Sequence, residues 1–359
     1  MAIEKTDIEQ FLQLATLYPV LDVRSPAEFA HAHIPGAQSL ALFTDEERKV
    51  VGTAYKQQSR ETAIKIGLDY FGPKMRSMVE MAEAICAPQP DANGSPAAKK
   101  TVLVHCWRGG MRSAGVAWLL DLYGFKVYTL AGGYKKFRHW VLNSFTLPWQ
   151  FKIVGGYTGS GKTELLYLLE KQGAAMADLE HIASHKGSAF GNLGMPPQPS
   201  QEMFENLLAL QLQNKGLQQT IWLEDESQRI GDVNIPGPLW QTIRQSPLYF
   251  IDIPFEERLQ CITGWYGRQD KEKMLNAIIR IKKRLGPLET KTAVNFLIED
   301  NLTESFRVLL IYYDKFYKKS LQLRPPSIAT QHFISCSRVD AAANAEKLLQ
   351  YLHTSEIDV

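Results

Sequence analysis

Cysteine is scarce in this chain. Four residues in 359 (Cys86, Cys106, Cys261, Cys336) lie far apart, with no C-x-x-C pair and no histidine cluster at zinc spacing. That argues against a disulfide framework, and no structural metal is expected. No apolar run approaches the ~18 residues that span a bilayer. The first residues, MAIEKTDIEQFLQ, carry acids where a signal peptide needs a basic and then apolar stretch, so a reducing cytoplasm without membrane contact is the expected setting. Charge of one sign is lacking too. Forty Lys and Arg stand against 38 Asp and Glu, a net +2, which excludes a protein that coats nucleic acid non-specifically but leaves room for a local basic patch. There is no fixed-period repeat and no low-complexity tract. What remains is an ordinary globular composition, 45% hydrophobic and 22% charged, in a chain longer than one core usually organises.

Two strand–loop–helix signals follow one another. Thr101-Val-Leu-Val104 enters HCWRGGMRS and a helical pattern opening at Ser113; Phe151-Lys-Ile-Val154 enters GGYTGSGKT and a second pattern from Glu164. Each helical pattern stops at a glycine, Gly124 and Gly173, as a C-cap wants. The pattern predicts two α/β domains, 1–143 and 144–359, with the join near Asn143–Pro148. Residues 87–100, rich in Pro, Gly, Asn and Ala, read as a surface loop.

Cys106 directly follows the first strand and is the best nucleophile in the chain. A loop at a strand-to-helix junction points several backbone N–H groups at one spot, and the helix dipole adds positive potential. A cysteine of ordinary pKa near 8.5 is only ~3% thiolate at pH 7, whereas a pKa of ~6 makes it ~90% thiolate. Trp107, Gly109, Gly110 and Met111 complete the loop, and Arg108 and Arg112 offer charge to an anion or to the thiolate itself. The bland alternative, a buried strand-end cysteine, suits Cys86, Cys261 and Cys336 better, because none of those sits in a Gly- and Arg-rich loop.

The second loop fits G-x-x-x-x-G-K-[ST] in full, through Gly156, Gly159, Ser160, Gly161, Lys162 and Thr163. Its amides should cradle a di- or triphosphate, Lys162 should reach the outer phosphates, and the Thr163 hydroxyl should face Mg²⁺ if that ion is present. Asp178, Glu224 and Asp225 are candidate metal-linked acids, though each also suits a helix cap. Of the basic stretches, Tyr134-KKFRHW, Arg280–Arg284 and Lys315–Lys319 are either solvated helix faces or contacts to a polynucleotide.

The stretch LDVRSPAEFAHAHIPGA (21–37) resembles the first strand and helix of rhodanese domains, a likeness that spans roughly residues 5–140. It implies a loop cysteine that carries terminal sulfur as a persulfide, or by extension selenium. His105-Cys106-x5-Arg112-Ser113 also satisfies the signature of cysteine-dependent phosphatases, so a phosphatase with a nucleotide-binding regulatory domain stays open, as does a non-catalytic scaffold. No Trp-Pro-Asp acid loop is evident.

Joined to the second loop, the whole chain resembles the bacterial tRNA 2-selenouridine synthase family. The matching runs are VGTAYKQQSRETA (51–63), HCWRGGMRS, LAGGYK (130–135), GGYTGSGKTELL, DLEHIASHKGSAFG (178–191) and RLGPLET (284–290), and HKGSAFG departs slightly from the family's commoner arginine-containing form. The resemblance implies replacement of the 2-sulfur of a wobble uridine by selenium. Selenophosphate would be the donor, from a supplying enzyme, and geranyl diphosphate would form an S-geranyl intermediate. It implies that Cys106 handles selenium and that the phosphate loop holds a diphosphate. Tyr134, Lys135, Lys136, Arg138, Arg280, Lys282, Lys283 and Arg284 become candidate tRNA contacts.

Overall fold

Val102, Leu103 and Val104 have no exposed surface on either side of the strand, the mark of a central strand in a parallel sheet covered on both faces. In the computed structural model, which describes residues 3–86, 100–267, 269–324 and 330–357, that strand lies at the heart of the first of two compact units, 1–144 and 145–359. Of the surface loop expected at 87–100, residues 87–99 lie outside the described residues.

The first unit holds strands β1 (Ile3–Thr6), β2 (Val20–Asp22), β3 (Gln38–Ser39), β4 (Thr101–His105) and β5 (Lys126–Leu130) in the order β1-β5-β4-β2-β3, every pairing parallel. Leu21, Val104, Val116, Leu120 and Val127 fill its core. Residues 21–37 form a short strand, a helix Pro26–His31 and a turn. The helix starts where Ser25-Pro-Ala-Glu28 places it: proline occupies the first helical position and Glu28 accepts the Ser25 N–H at 3.2 Å. The helix after the cysteine loop begins at Met111, two residues before the expected Ser113, so Arg112 lies within its first turn.

The second unit begins with β6 (Gln150–Gly155) and β7 (Ala175–Met176), continues through β8 (Thr220–Glu224) and the two-stranded ribbon β9 (Arg229–Ile230) and β10 (Val233–Asn234), and ends with β11 (Leu248–Asp252) and β12 (Gln331–Ser335). Its main sheet has the order β12-β11-β6-β8-β7, all parallel. From β6 the chain crosses to one side of the sheet, returns to β8, and then builds β11 and β12 on the other side. The crevice at the C-terminal end of β6 is therefore where an open α/β sheet takes its ligand. The chain is thus α/β in both units. A second apolar cluster of helical residues, including Ile262, Met274, Ile278, Phe306 and Leu310, stands apart from the core of this sheet.

Candidate functional site

The cysteine loop is shaped by backbone that only glycine tolerates. Gly109 has φ +63°, and a Cβ there would lie 2.5 Å from the Leu130 carbonyl oxygen; Gly133 has φ +60°, and a Cβ there would meet the Cys106 carbonyl oxygen at 2.3 Å. The run LAGGYK therefore closes onto the loop. Tyr134 N–H donates to Cys106 O at 2.8 Å and Lys135 N–H to Trp107 O at 2.9 Å. Beneath them the LDVR strand supplies a buried ion pair, Arg24 Nη2 to Asp22 Oδ2 at 2.6 Å, and the Arg24 guanidinium lies 3.8 Å from the Tyr134 ring centre. His105 is wholly buried, and that desolvation pulls its pKa down to about 4 despite nearby Asp22, so the ring is neutral.

Cys106 is only 3% exposed and packs with the core, where an ordinary thiol would be inert. Its sulfur nevertheless differs from a core thiol in its neighbours. Ser113 Oγ lies 3.2 Å from Sγ, and Gly110 N–H donates to Sγ at 3.4 Å. Burial alone would push the thiol up; the Ser113 hydroxyl and amide, with the amides of Gly110 and Arg108, outweigh it and hold the pKa below the ordinary value. Burial leaves Cys86 and Cys261 pushed up to about 11, and Cys336 also raised. Only Cys106, among the four, is tuned toward a thiolate.

Arg112 is engaged by a carboxylate, which the sequence did not lead one to expect. Arg112 Nη1 donates to Glu28 Oε2 at 3.0 Å, with Arg48 behind the same carboxylate at 3.6 Å, so Arg112 braces the helix Pro26–His31. Trp107, Arg108 and Met111 are exposed at the loop's surface. Tyr134 is fully buried and cannot meet RNA, because its ring fills the space over Arg24; Lys135 and Lys136 on the same helix are exposed and Arg138 is half-buried. The residue that sequence reasoning missed is Ser113, although it stands in the quoted string. Its hydroxyl also donates to Gly110 O at 3.1 Å, so one rotation turns its proton toward the sulfur. Ser113→Ala should raise the midpoint of Cys106 alkylation by iodoacetamide by about one pH unit or more, since a hydrogen bond to a charged group contributes ~1.5–3 kcal/mol. An unchanged midpoint would leave the amides alone responsible.

In the second unit Gly161, at φ +71°, lets the chain turn sharply into the helix Lys162–Lys171. The loop is fixed from behind by buried Arg258, which donates to the Thr158 and Ile253 carbonyls at 3.1 Å and pairs with Asp314 at 2.7 Å. Ser160 Oγ is buried in the loop with no hydrogen-bond partner, and Lys162 Nζ donates to the Gly156 carbonyl at 3.3 Å. Burial would lower the lysine's pKa, but Tyr317 and the carboxylates of Glu224, Glu226 and Glu180 more than offset it and keep the ammonium charged.

Of the candidate acids, Glu224 reaches this site: it is 1% exposed, hydrogen-bonded to Thr163, and its Oε1 lacks a partner. Asp178 and Asp225 line the same cleft, with both oxygens of Asp178 and Oδ1 of Asp225 already engaged. Asp178 caps the helix Leu179–Ala183 through His181 N–H at 2.8 Å and accepts from Tyr167 OH at 2.7 Å; Asp225 pairs with buried Arg324 at 2.5 Å. Glu180 and Glu226, from the same acidic runs Asp178–Glu180 and Glu224–Glu226, take the remaining places. Carboxylate oxygens of Glu180, Glu224 and Glu226 lie within 4.8 Å of one another. Burial, joined by mutual repulsion, pushes all three pKa values up.

These groups form the floor of a cleft of about 1810 Å³. Its apolar lining comes from the helical cluster, including Phe190, Ile262, Ile281, Phe306, Leu309 and Leu310, and its rim carries Arg280, Lys283 and Arg284. Among the described residues, no helix is long and apolar enough to cross a membrane.

Comparison with known proteins agrees with this division. Residues 7–139 match the rhodanese-like domain family, and residues 149–332 match the family described as the tRNA 2-selenouridine synthase AAA domain. Curated proteins named tRNA 2-selenouridine synthase are similar end to end. One from Pseudomonas putida is 32% identical over 93% of this chain and 93% of its own length, and one from Hydrogenovibrio crunogenus is 33% identical over 85% and 89%.

Proposed function

This chain belongs to the tRNA 2-selenouridine synthase family, and from that premise we propose that it replaces the 2-sulfur of a wobble 2-thiouridine by selenium, with selenophosphate as donor and through an S-geranylated base made from geranyl diphosphate. It is an enzyme acting on tRNA. The observation that carries the finer reading is the cleft itself, which joins a phosphate cradle with a charged lysine to an apolar wall. A prenyl diphosphate has the same division into anionic head and apolar tail.

The chemistry requires both ends. The 2-thio sulfur attacks C1 of the geranyl group, the C1–O bond breaks, and diphosphate leaves with the electron pair. Lys162, Ser160 and the loop amides would hold that developing charge. Sulfur at C2 is then a thioether. The Cys106 thiolate would attack the phosphorus of selenophosphate, the P–Se bond breaks, and selenide leaves with the electron pair and adds at C2, where the sulfur departs as geranyl thiolate; water then frees phosphate from Cys106. Mg²⁺ fits the floor of the cleft. Glu180, Glu224, Glu226 and Thr163 form an all-oxygen donor set that suits a hard cation, and Glu224 Oε1 is buried without a hydrogen-bond partner. When bound, Mg²⁺ would neutralise diphosphate charge. The phosphatase reading needs an arginine turned to phosphate, whereas Arg112 is held by Glu28.

The reading is tested by competition binding. Geranyl diphosphate should bind at least ~10²-fold more tightly than inorganic diphosphate, because each buried methylene contributes ~0.8 kcal/mol. Equal affinities would remove the apolar wall from recognition, and tighter binding of ATP would make the cleft a nucleotide site.

A further inference from the structure

Two large aromatic side chains at the mouth of this cleft have no evident structural work. Trp265 is 46% exposed and Phe316 51% exposed; both line the cleft, and among the described residues neither ring contacts another ring or a cation. They stand on the helices Phe255–Tyr266 and Leu302–Gln322. Beside them the rim carries Arg280, Lys283 and Arg284, all exposed, and among the described residues none has an ion-pair partner. Elsewhere in this unit surface cations do find acids, as Lys215 does Glu170 and Arg307 does Glu256.

We propose that this rim is a platform for the single-stranded anticodon loop of the tRNA, with Trp265 and Phe316 stacking on bases and Arg280, Lys283 and Arg284 taking the flanking phosphates. Exposed aromatics interleaved with unpaired cations are how proteins hold unpaired RNA, because every base has a face to stack and every nucleotide a charge to neutralise. The charge layout also sorts the substrate. A basic rim retains the backbone at the mouth of the cleft, so only a base turned out of its stack points toward the phosphate cradle. The proposal rests on the tRNA-modifying reading and extends it to the residues that present the base.

The test is tRNA binding by the full chain as a function of salt, with inorganic diphosphate binding as a check that each variant keeps the phosphate loop intact. Trp265→Ala and Phe316→Ala should each weaken tRNA binding about tenfold or more without changing the salt dependence. Lys283→Ala combined with Arg284→Ala should lower the slope of log K against log salt by about 1.4, or ~0.7 per lost phosphate contact. A single-stranded anticodon-loop oligonucleotide should compete, and a duplex of equal length should not. If all variants bind tRNA as the unsubstituted protein does, the platform is wrong, and modification of tRNA by the unsubstituted protein shows that the parent reading survives. Equal competition by the duplex also overturns the platform. Absence of tRNA binding by the unsubstituted protein overturns both.

Discussion

Cys106→Ala should abolish selenium incorporation, by ~10³-fold or more, while S-geranylated tRNA should still form and accumulate. The size of the effect follows from the thiol's role as a nucleophile, for which no neighbour substitutes. Cys106 is the one cysteine of four whose surroundings favour the thiolate, through Ser113 Oγ at 3.2 Å and Gly110 N–H at 3.4 Å, against burial that raises the others. Cys86, Cys261 and Cys336 replaced by Ala should leave selenation unchanged. The sign of the pH dependence also follows. A lowered thiol pKa means that the selenium step keeps its rate to a lower pH than an ordinary cysteine would permit, and Ser113→Ala should move that limb upward. Nucleoside mass spectrometry of reacted tRNA reads both products at once, and selenated uridine formed by Cys106→Ala would refute the assignment.

The second large effect belongs to Lys162. Lys162→Ala should slow geranyl transfer by ~10²–10³-fold, the usual loss when one preorganised donor to developing charge is removed. Selenation of unalkylated tRNA should fall with it, whereas selenation of tRNA that is already S-geranylated should not. Lys162 also balances the raised carboxyls of Glu180, Glu224 and Glu226, so its removal leaves buried acids without their cation. The variant is therefore checked for thermal stability, and pre-geranylated substrate separates a lost cradle from a lost fold. Full geranyl transfer by Lys162→Ala would show that the loop does not serve diphosphate.

Both loops are legible in the sequence because their chemistry is local. A strand, a glycine turn and a helix start occupy about a dozen consecutive residues, and the amides that make each site belong to those residues. The supporting residues were not legible, because they arrive from elsewhere in the chain. Tyr134 looks like an exposed aromatic among lysines, yet Arg24, more than a hundred positions earlier, lies against its ring and requires it to be buried. Arg112 reads as an anion ligand until Glu28 is brought to 3.0 Å.

The acids after β8 show the limit most clearly. Glu224, Asp225 and Glu226 are consecutive, and neighbouring side chains leave the backbone in different directions. Spacing alone does not say that Asp225 turns toward Arg324, from the end of a distant helix, while Glu224 and Glu226 join Glu180. Cys106 presents the opposite case. The sequence marks it as reactive, but its 3% exposure is set by the packing of a parallel sheet, and only the polar neighbours of its sulfur keep it from being an ordinary core thiol.

The most direct measurement is a nucleoside profile of tRNA from cells that lack the protein and are complemented in turn with the unsubstituted chain, Cys106→Ala and Lys162→Ala, grown with selenium. The account predicts selenated uridine with the unsubstituted chain, S-geranylated uridine without selenium with Cys106→Ala, and unaltered 2-thiouridine with Lys162→Ala. Identical profiles for the two variants, or selenated uridine in cells without the protein, would contradict it.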